Sequence, residues 1–329
     1  MHAPDGLLNA AASTGAGAVS LGAIAAALKQ CKRELGEKAV PLAGITAAFV
    51  FAAQMFNFPI AAGASGHLMG GALAAVLLGP SAGAVVVTVV VTVQAFAFAD
   101  GGLTALGANV LNMAVVPAYG GYAAFRLFRR RLPRSTGGVV AAAGLAAWSS
   151  VVLAAAAFSL EWLFGATAPV AFDTVFGAMV GAHALIGVGE GLISAVALGA
   201  VMASRPDLVR GASDLTREEI SDRRPVKMRT FVIGALIASV VVAAVVSQLA
   251  SDAPDGLEKT AVETGIAPGA EEHALAGSPF AGYATEGIED KRTSLAVAGV
   301  AGALIALSVG AGMAAGLRGR DPERPARRL

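Results

Sequence analysis

The chain has 329 residues, of which 56% are hydrophobic and 14% are charged, and its formal net charge is +1. A soluble domain carries about 25% charged residues, so this composition excludes an ordinary soluble protein and favours one surrounded by membrane lipid. The charges nearly balance, and no nucleic-acid partner is expected. They also cluster, and the stretches between clusters are long enough for spans of about 20 residues. We therefore predict an all-α fold, that of a polytopic helical membrane protein.

Nine spans are predicted from the apolar stretches and the turn residues between them. In chain order they are 8–28, 39–56, 67–79, 81–98, 103–128, 137–160, 172–203, 230–250 and 293–317. The third is short for a span, so it is expected to be tilted, or broken and buried in protein. Ser65 is predicted to cap this helix, with His67 at its start.

Clusters of Lys and Arg predict the orientation, because these residues concentrate in cytoplasmic loops. The clusters at 29–38, 126–134 and 318–328, and the charged stretch 205–229, all fall on one predicted side. The N-terminus is therefore expected outside and the C-terminus in the cytoplasm, in a multi-pass protein of the cell (plasma) membrane. The mostly acidic stretch 251–292 fits an outer loop.

The same charge pattern predicts the domain organisation. Residues 1–204 are expected to form a seven-helix bundle, 205–229 a cytoplasmic linker, and 230–329 a two-helix transmembrane hairpin with a polar outer loop. The alternative is one continuous bundle with a large internal loop.

The first two residues form a candidate chelate for a metal ion. The α-amine of Met1, the amide nitrogen of His2 and the His2 imidazole can bind one ion together once the amide is deprotonated. Such nitrogens suit Ni²⁺ and Cu²⁺ above all, with Co²⁺ also possible. His67 is predicted on the same outer face and would supply a fourth nitrogen. The alternative for His67 is a hydrogen bond to a backbone carbonyl at a helix start.

Several polar residues in or beside spans are candidates for supporting these ligands by hydrogen bonds. They are Asn57, Ser65, Asn109 and Asn112, and the last two share a helix face. Hydrogen bonding between helices is the alternative. His183 and Glu190 fall nearly on one face inside a span, either as a functional pair or as structural polar groups.

Catalytic and nucleotide-binding motifs are missing from the sequence. It contains no G-x-x-x-x-G-K-[ST] P-loop, and no H-E-x-x-H, G-x-S-x-G or C-x-x-C motif. A metal-binding bundle without an ATP site could be a carrier, a channel or one subunit of a larger machine.

An ordered set of motifs narrows these alternatives. It comprises MHAPDG at 1–6, NFP at 57–59, SGHL at 65–68, FADGGLTALGAN at 98–109 and NM at 112–113. Together these closely resemble the CbiM/NikM family, the substrate-binding membrane components of energy-coupling-factor (ECF) cobalt and nickel transporters. Residues 254–292, which begin PDGLE, and the flanking helices resemble the small CbiN/NikN component.

The resemblance implies a function for the chain. It would be the substrate-capture subunit of an ATP-driven transporter whose cargo is Co²⁺ or Ni²⁺, bound by Met1, His2 and His67, and it would not be an enzyme. No organic cofactor is implied. The implied partners are a CbiQ/NikQ-like coupling transmembrane subunit and CbiO/NikO-like ATPases. A stand-alone secondary carrier or channel for divalent metal cations remains the alternative.

Overall fold

The fold is known from a computed structural model, which describes residues 1–216, 219 and 225–318. Part of the predicted linker, and the predicted basic cluster beyond Arg318, lie outside these residues. The described residues form eleven α-helices and one short β-hairpin. The helices are α1 (Ala10–Glu34), α2 (Ala39–Gln54), α3 (Gly71–Leu78), α4 (Pro80–Phe98), α5 (Leu106–Val110), α6 (Val116–Arg129), α7 (Thr136–Gly165), α8 (Phe172–Ser204), α9 (Met228–Ala244), α10 (Gly256–Thr264) and α11 (Lys291–Leu317).

Six helical segments are long and apolar enough to cross a membrane. They are α1, α4, α7, α8, α9 with the 3₁₀ turn that extends it to Leu249, and α11, while α2 is a shorter apolar helix. The protein is therefore a multi-pass membrane protein, and the predicted all-α class is confirmed.

The predicted start of the third helix is wrong. Residues 58–66 form an antiparallel hairpin of β1 (Phe58–Ile60) and β2 (Ala64–Gly66), and α3 begins only at Gly71. Gly70, with φ of 78°, precedes the helix in the left-handed region, which glycine adopts without a steric penalty. His67 consequently lies in irregular chain after the hairpin. Ser65 does not cap the helix, because its hydroxyl donates to the carbonyl of Ala253 at 2.6 Å.

The predicted helix at 103–128 is interrupted. It consists of α5, a π-helical turn over Leu111–Val115, and α6. Pro117 lacks the N–H that a regular helix would bond to the carbonyl four residues earlier, which favours a local change of pitch here. π-turns often occur at functional sites, and this one lies between Asn109 and the rest of the helix.

The C-terminal helices pack against the N-terminal bundle. α11 lies along α2, and α9 contacts both of them. Small residues permit the close approach of α2 and α11, since a Cβ atom at Gly310 would lie 2.9 Å from the Cβ of Ala47. This contact brings the segment between α9 and α11 over the end of the bundle that holds Met1 and His67.

Substitution of Gly310 by Leu should separate α11 from α2 and destabilise the chain. Overpacking of a close contact costs about 1–3 kcal/mol, and the loss is measured as a lower thermal unfolding temperature in detergent. Gly312→Leu is the matched control, because a Cβ atom there would meet no atom within 4 Å. An equal loss in both variants would contradict the packing described here.

Candidate metal centre

The first nine residues are folded into the protein. Met1 is 4% exposed, and Ala3 and Leu7 are each 1% exposed. The segment ends at Asn9, whose side chain caps α1 by accepting from the amide of Ala12 at 2.9 Å. The chain start therefore reaches the centre of one end of the bundle.

Hydrogen bonds from the 100–109 region fix this segment. Asn109 clasps Ala3, because its Oδ1 accepts from the Ala3 amide at 2.7 Å and its Nδ2 donates to the Ala3 carbonyl at 3.0 Å. The carboxylate of Asp5 accepts from the amide and the hydroxyl of Thr104 at 2.7 and 2.6 Å. The amide of Gly102 also donates to the Ala3 carbonyl at 2.9 Å.

The fold brings Met1 and His67 together. The α-amine of Met1 donates to Nε2 of His67 at 2.7 Å, and Nδ1 of His67 bonds the carbonyl of Leu68 at 2.9 Å. A ring that donates from Nδ1 to a carbonyl presents the lone pair of Nε2, the form in which imidazole binds metals. The His67 ring stacks on that of His2, with the ring centroids 5.4 Å apart.

His2 lies between two polar groups. Its Nε2 is 3.1 Å from Oε1 of Gln94, and its Nδ1 is 3.3 Å from Oδ1 of Asp100. Burial lowers the pKa of His2 to about 4, against the opposing effect of Asp100. In the neutral tautomer that donates from Nε2 to Gln94, Nδ1 is unprotonated. Nδ1 is the nitrogen that can close a chelate ring with the amide of the same residue.

Glu190 holds the backbone next to His67. Its carboxylate, fully buried in α8, accepts from the amides of Met69 and Gly70 at 2.6 and 2.9 Å. Its predicted partner His183 instead bonds the carbonyl of Met179 at 2.8 Å. The two residues thus act on different groups, Glu190 on the segment that carries His67 and His183 on its own helix.

The segment between α9 and α11, named the outer segment after the outer loop predicted there, covers these residues. Oδ2 of Asp255 lies 2.7 Å from the α-amine of Met1, and the amide of Glu271 donates to the carbonyl of Asp5 at 2.8 Å. Tyr283 donates to Oδ2 of Asp100 at 2.5 Å. A cavity of about 10 Å³ lies beside Met1 and His67 and is also lined by His183. Met1 and His67 are 4% and 6% exposed, so little solvent reaches them.

Two side chains of the outer segment, which forms a cover over Met1 and His67, have shifted pKa values. Burial by itself would raise the pKa of Asp255, but the Met1 ammonium and His67 hold it well below the ordinary value. Burial and the adjacent Asp100 raise the pKa of Tyr283 well above its ordinary value. Tyr283 therefore remains a hydrogen-bond donor to Asp100, which in turn faces His2.

The other residues predicted from the sequence have separate positions. Asn112 donates to Oε2 of Glu161 at 2.7 Å, not to the N-terminal segment. Asn57 contributes its carbonyl, which accepts from the amide of Ser251 at 2.7 Å. Both Asn57 and Ser65 thus contact the outer segment. Within the described ranges, no group of three or more His, Cys, Asp or Glu side chains is placed to hold a metal ion by itself.

Comparison with known proteins decides the family. The family model for the cobalt uptake substrate-specific transmembrane region, CbiM, matches residues 2–208, and that for the PDGLE domain matches residues 229–319. The chain belongs to the CbiM family. Its resemblance to CbiM/NikM proteins with a fused NikN-like component, predicted from the motifs, is thereby confirmed.

Relatives of this CbiM-family chain include fused and unfused proteins. A NikMN protein of Archaeoglobus fulgidus is 36% identical over 310 residues, which cover 94% of this chain and 97% of the relative. The cobalt transport protein CbiM of Sorangium cellulosum is 34% identical over 217 residues, 64% of this chain and 94% of that protein. A crystal structure of a transition metal transporter has a TM-score of 0.55 and 30% identity, and covers 63% of this chain and 96% of its own.

Substitution of Asn109 by Ala should free the chain start of this CbiM-family protein. Two hydrogen bonds to Ala3 are lost, each worth about 0.5–1.5 kcal/mol, so a state with the chain start detached should become about 5- to 150-fold more populated. An amine-specific reagent should then label Met1 faster than in the wild-type chain, as read by mass spectrometry. Asn112→Ala is the control, since Asn112 binds Glu161. Equal labelling rates in both variants would refute the clasp.

Proposed function

We propose that the chain is the substrate-capture subunit of an ATP-driven ECF-type uptake transporter for Co²⁺ or Ni²⁺. Membership of a family of cobalt and nickel transport components supplies the general function. The observation that carries the finer proposal is the 2.7 Å separation between the α-amine of Met1 and Nε2 of His67. The proposed donors are these two atoms with the amide nitrogen and Nδ1 of His2.

The spacing of the two nitrogens fits adjacent positions around one ion. With metal–nitrogen bonds of about 2.0 Å at right angles, two donors are separated by about 2.8 Å. The observed 2.7 Å is close to this value, so the separation of these two atoms suits an ion in place of the hydrogen bond. Nitrogen donors would also disfavour Mg²⁺ and Ca²⁺, which prefer oxygen ligands.

The proposed transport cycle begins with capture at the outer face. The ion binds while the outer segment is separated from the chain start. The two then come together and bury the ion. ATP hydrolysis in CbiO/NikO-like partners, transmitted by a CbiQ/NikQ-like coupling subunit, would reorient the bundle. The absence of a P-loop from the sequence supports separate ATPase chains.

Orientation and domain organisation form part of the proposal. The basic clusters support an outside N-terminus and a cytoplasmic C-terminus. The division into 1–204, a linker at 205–229 and 230–329 is supported by the two family matches, which leave residues 209–228 between them.

His67→Ala, or one residue added before Met1, should abolish metal binding. Either change removes a proposed nitrogen donor, so the affinity of the purified chain for metal should fall by at least about 100-fold. The affinity is measured from the ⁶³Ni or ⁵⁷Co that the chain retains. His273→Ala is the matched control, because it removes an outer-segment histidine that bonds only the carbonyl of Gly101 and its own loop.

Wild-type retention of metal in the two altered chains would overturn this site. The same metal-binding assay on intact, ATP-depleted cells tests whether the site faces the outside of the membrane. Metal should bind without permeabilisation, and binding seen only after the membrane is opened would contradict an outer site.

Transport by the chain should depend on partner ATPases. Cells that make the chain with its coupling subunit and ATPases should accumulate ⁵⁷Co or ⁶³Ni, and a Lys→Ala change in the ATPase P-loop should remove accumulation but not binding. Vesicles that hold this chain alone provide the comparison. Accumulation by those vesicles would support the stand-alone carrier or channel instead.

A further inference from the structure

The carboxylate of Asp255 reaches the proposed metal donors from the C-terminal part of the chain. Its Oδ2 lies 2.7 Å from the α-amine of Met1 and 3.8 Å from Nε2 of His67. These three residues belong to the N-terminus, the loop before α3 and the outer segment. The side chain of Asp255 is 18% exposed, so it is largely withdrawn from solvent.

The two oxygens of Asp255 have different partners. Oδ1 caps α10, where it accepts from the amides of Leu257 and Glu258 at 2.8 Å each. This cap fixes the direction of the carboxylate and leaves Oδ2 aimed at Met1 and His67. Carboxylates that bind metals are commonly oriented in this way, by hydrogen bonds to the oxygen that does not face the ion.

The negative charge of Asp255 would balance the charge of the bound ion and its donors. When a divalent ion binds, the Met1 ammonium and the His2 amide each lose one proton to water. One positive charge on the ammonium is replaced by two on the ion and one negative charge on the amide nitrogen. The net charge facing Asp255 therefore stays at one positive unit, in a buried place where an unpaired charge is costly.

Other carboxylates nearby are engaged elsewhere. Asp100 faces the His2 ring and accepts from Tyr283, and Glu190 accepts from the amides of Met69 and Gly70. Of the acidic side chains in the described ranges, Asp255 is the one that forms an ion pair with the Met1 amine.

We propose that Asp255 is the counter-ion and an oxygen ligand of the transported metal, contributed by the outer segment. The inference rests on the proposed function, because it needs the ion to bind at Met1, His2 and His67. The site then has four nitrogens from the CbiM-like part and one oxygen from the PDGLE part. Its charge matches a divalent ion, and a monovalent ion would leave the carboxylate unbalanced.

Asp255→Asn in the full chain tests this proposal. Asn caps helices about as well as Asp, so α10 should remain while the charge is lost. Loss of a group that supports a metal typically lowers affinity by about 10–100-fold, and we expect a Ni²⁺ affinity loss in that range, measured by competition with a chelator. Asp255→Ser, which also retains a cap, should behave in the same way. Glu258→Gln removes one exposed acidic charge from the same helix and should leave the affinity unchanged.

Copper provides the spectroscopic readout. With Cu²⁺ bound, the visible absorption and electron paramagnetic resonance spectra of Asp255→Asn should shift relative to the wild-type chain, because an oxygen ligand is lost. The spectra of Glu258→Gln should not shift. Unchanged affinity or unchanged spectra in both Asp255 variants would overturn the proposal. The His67→Ala chain separates the two ideas: if it loses metal while the Asp255 variants do not, the proposed function stands and this inference fails.

Discussion

The contact between the Met1 amine and the His67 imidazole is the interaction around which this end of the bundle is organised. A charged chain terminus is costly to bury, so each group around it must be paired. The amide side chain of Asn109 holds Ala3, the carboxylate of Glu190 holds the backbone that follows His67, and Asp255 faces the amine itself. Side chains from α5, from α8 and from the cap of α10 thus surround two nitrogens that lie within hydrogen-bond distance.

The irregular chain near Met1 and His67 is held by hydrogen bonds from side chains to its backbone. Asn109 and Glu190 are buried polar side chains that satisfy backbone groups outside regular helix or sheet. The π-turn after Asn109 belongs to the same region. It changes the helix pitch between Asn109, which faces Ala3, and Asn112, which faces Glu161.

Six of the nine predicted spans correspond to helices long enough to cross a membrane, because charge-free apolar stretches have few other uses. Donor chemistry singled out Met1 and His67, which the fold brings together, and their binding of a metal stays a prediction. Prediction from the sequence failed where several solutions compete locally. The glycines at 66, 70 and 71 permit a hairpin and a late helix start as readily as an early one. Asp255 carries no local signal for its contact with Met1, since Asp-Gly before an amphipathic segment indicates only a helix cap. Nor does the sequence reveal that Glu190 binds backbone amides 120 residues away.

The cover and the chain start belong to one polypeptide, and this has a kinetic consequence. A covering subunit on a separate chain must find its partner by diffusion, at a rate set by how much of it the cell makes. A tethered segment instead meets the site at an effective concentration of about millimolar, whatever the expression level. In the proposed transport cycle, opening and reclosure are therefore first-order events whose frequency is independent of protein abundance, and each chain carries its own cover.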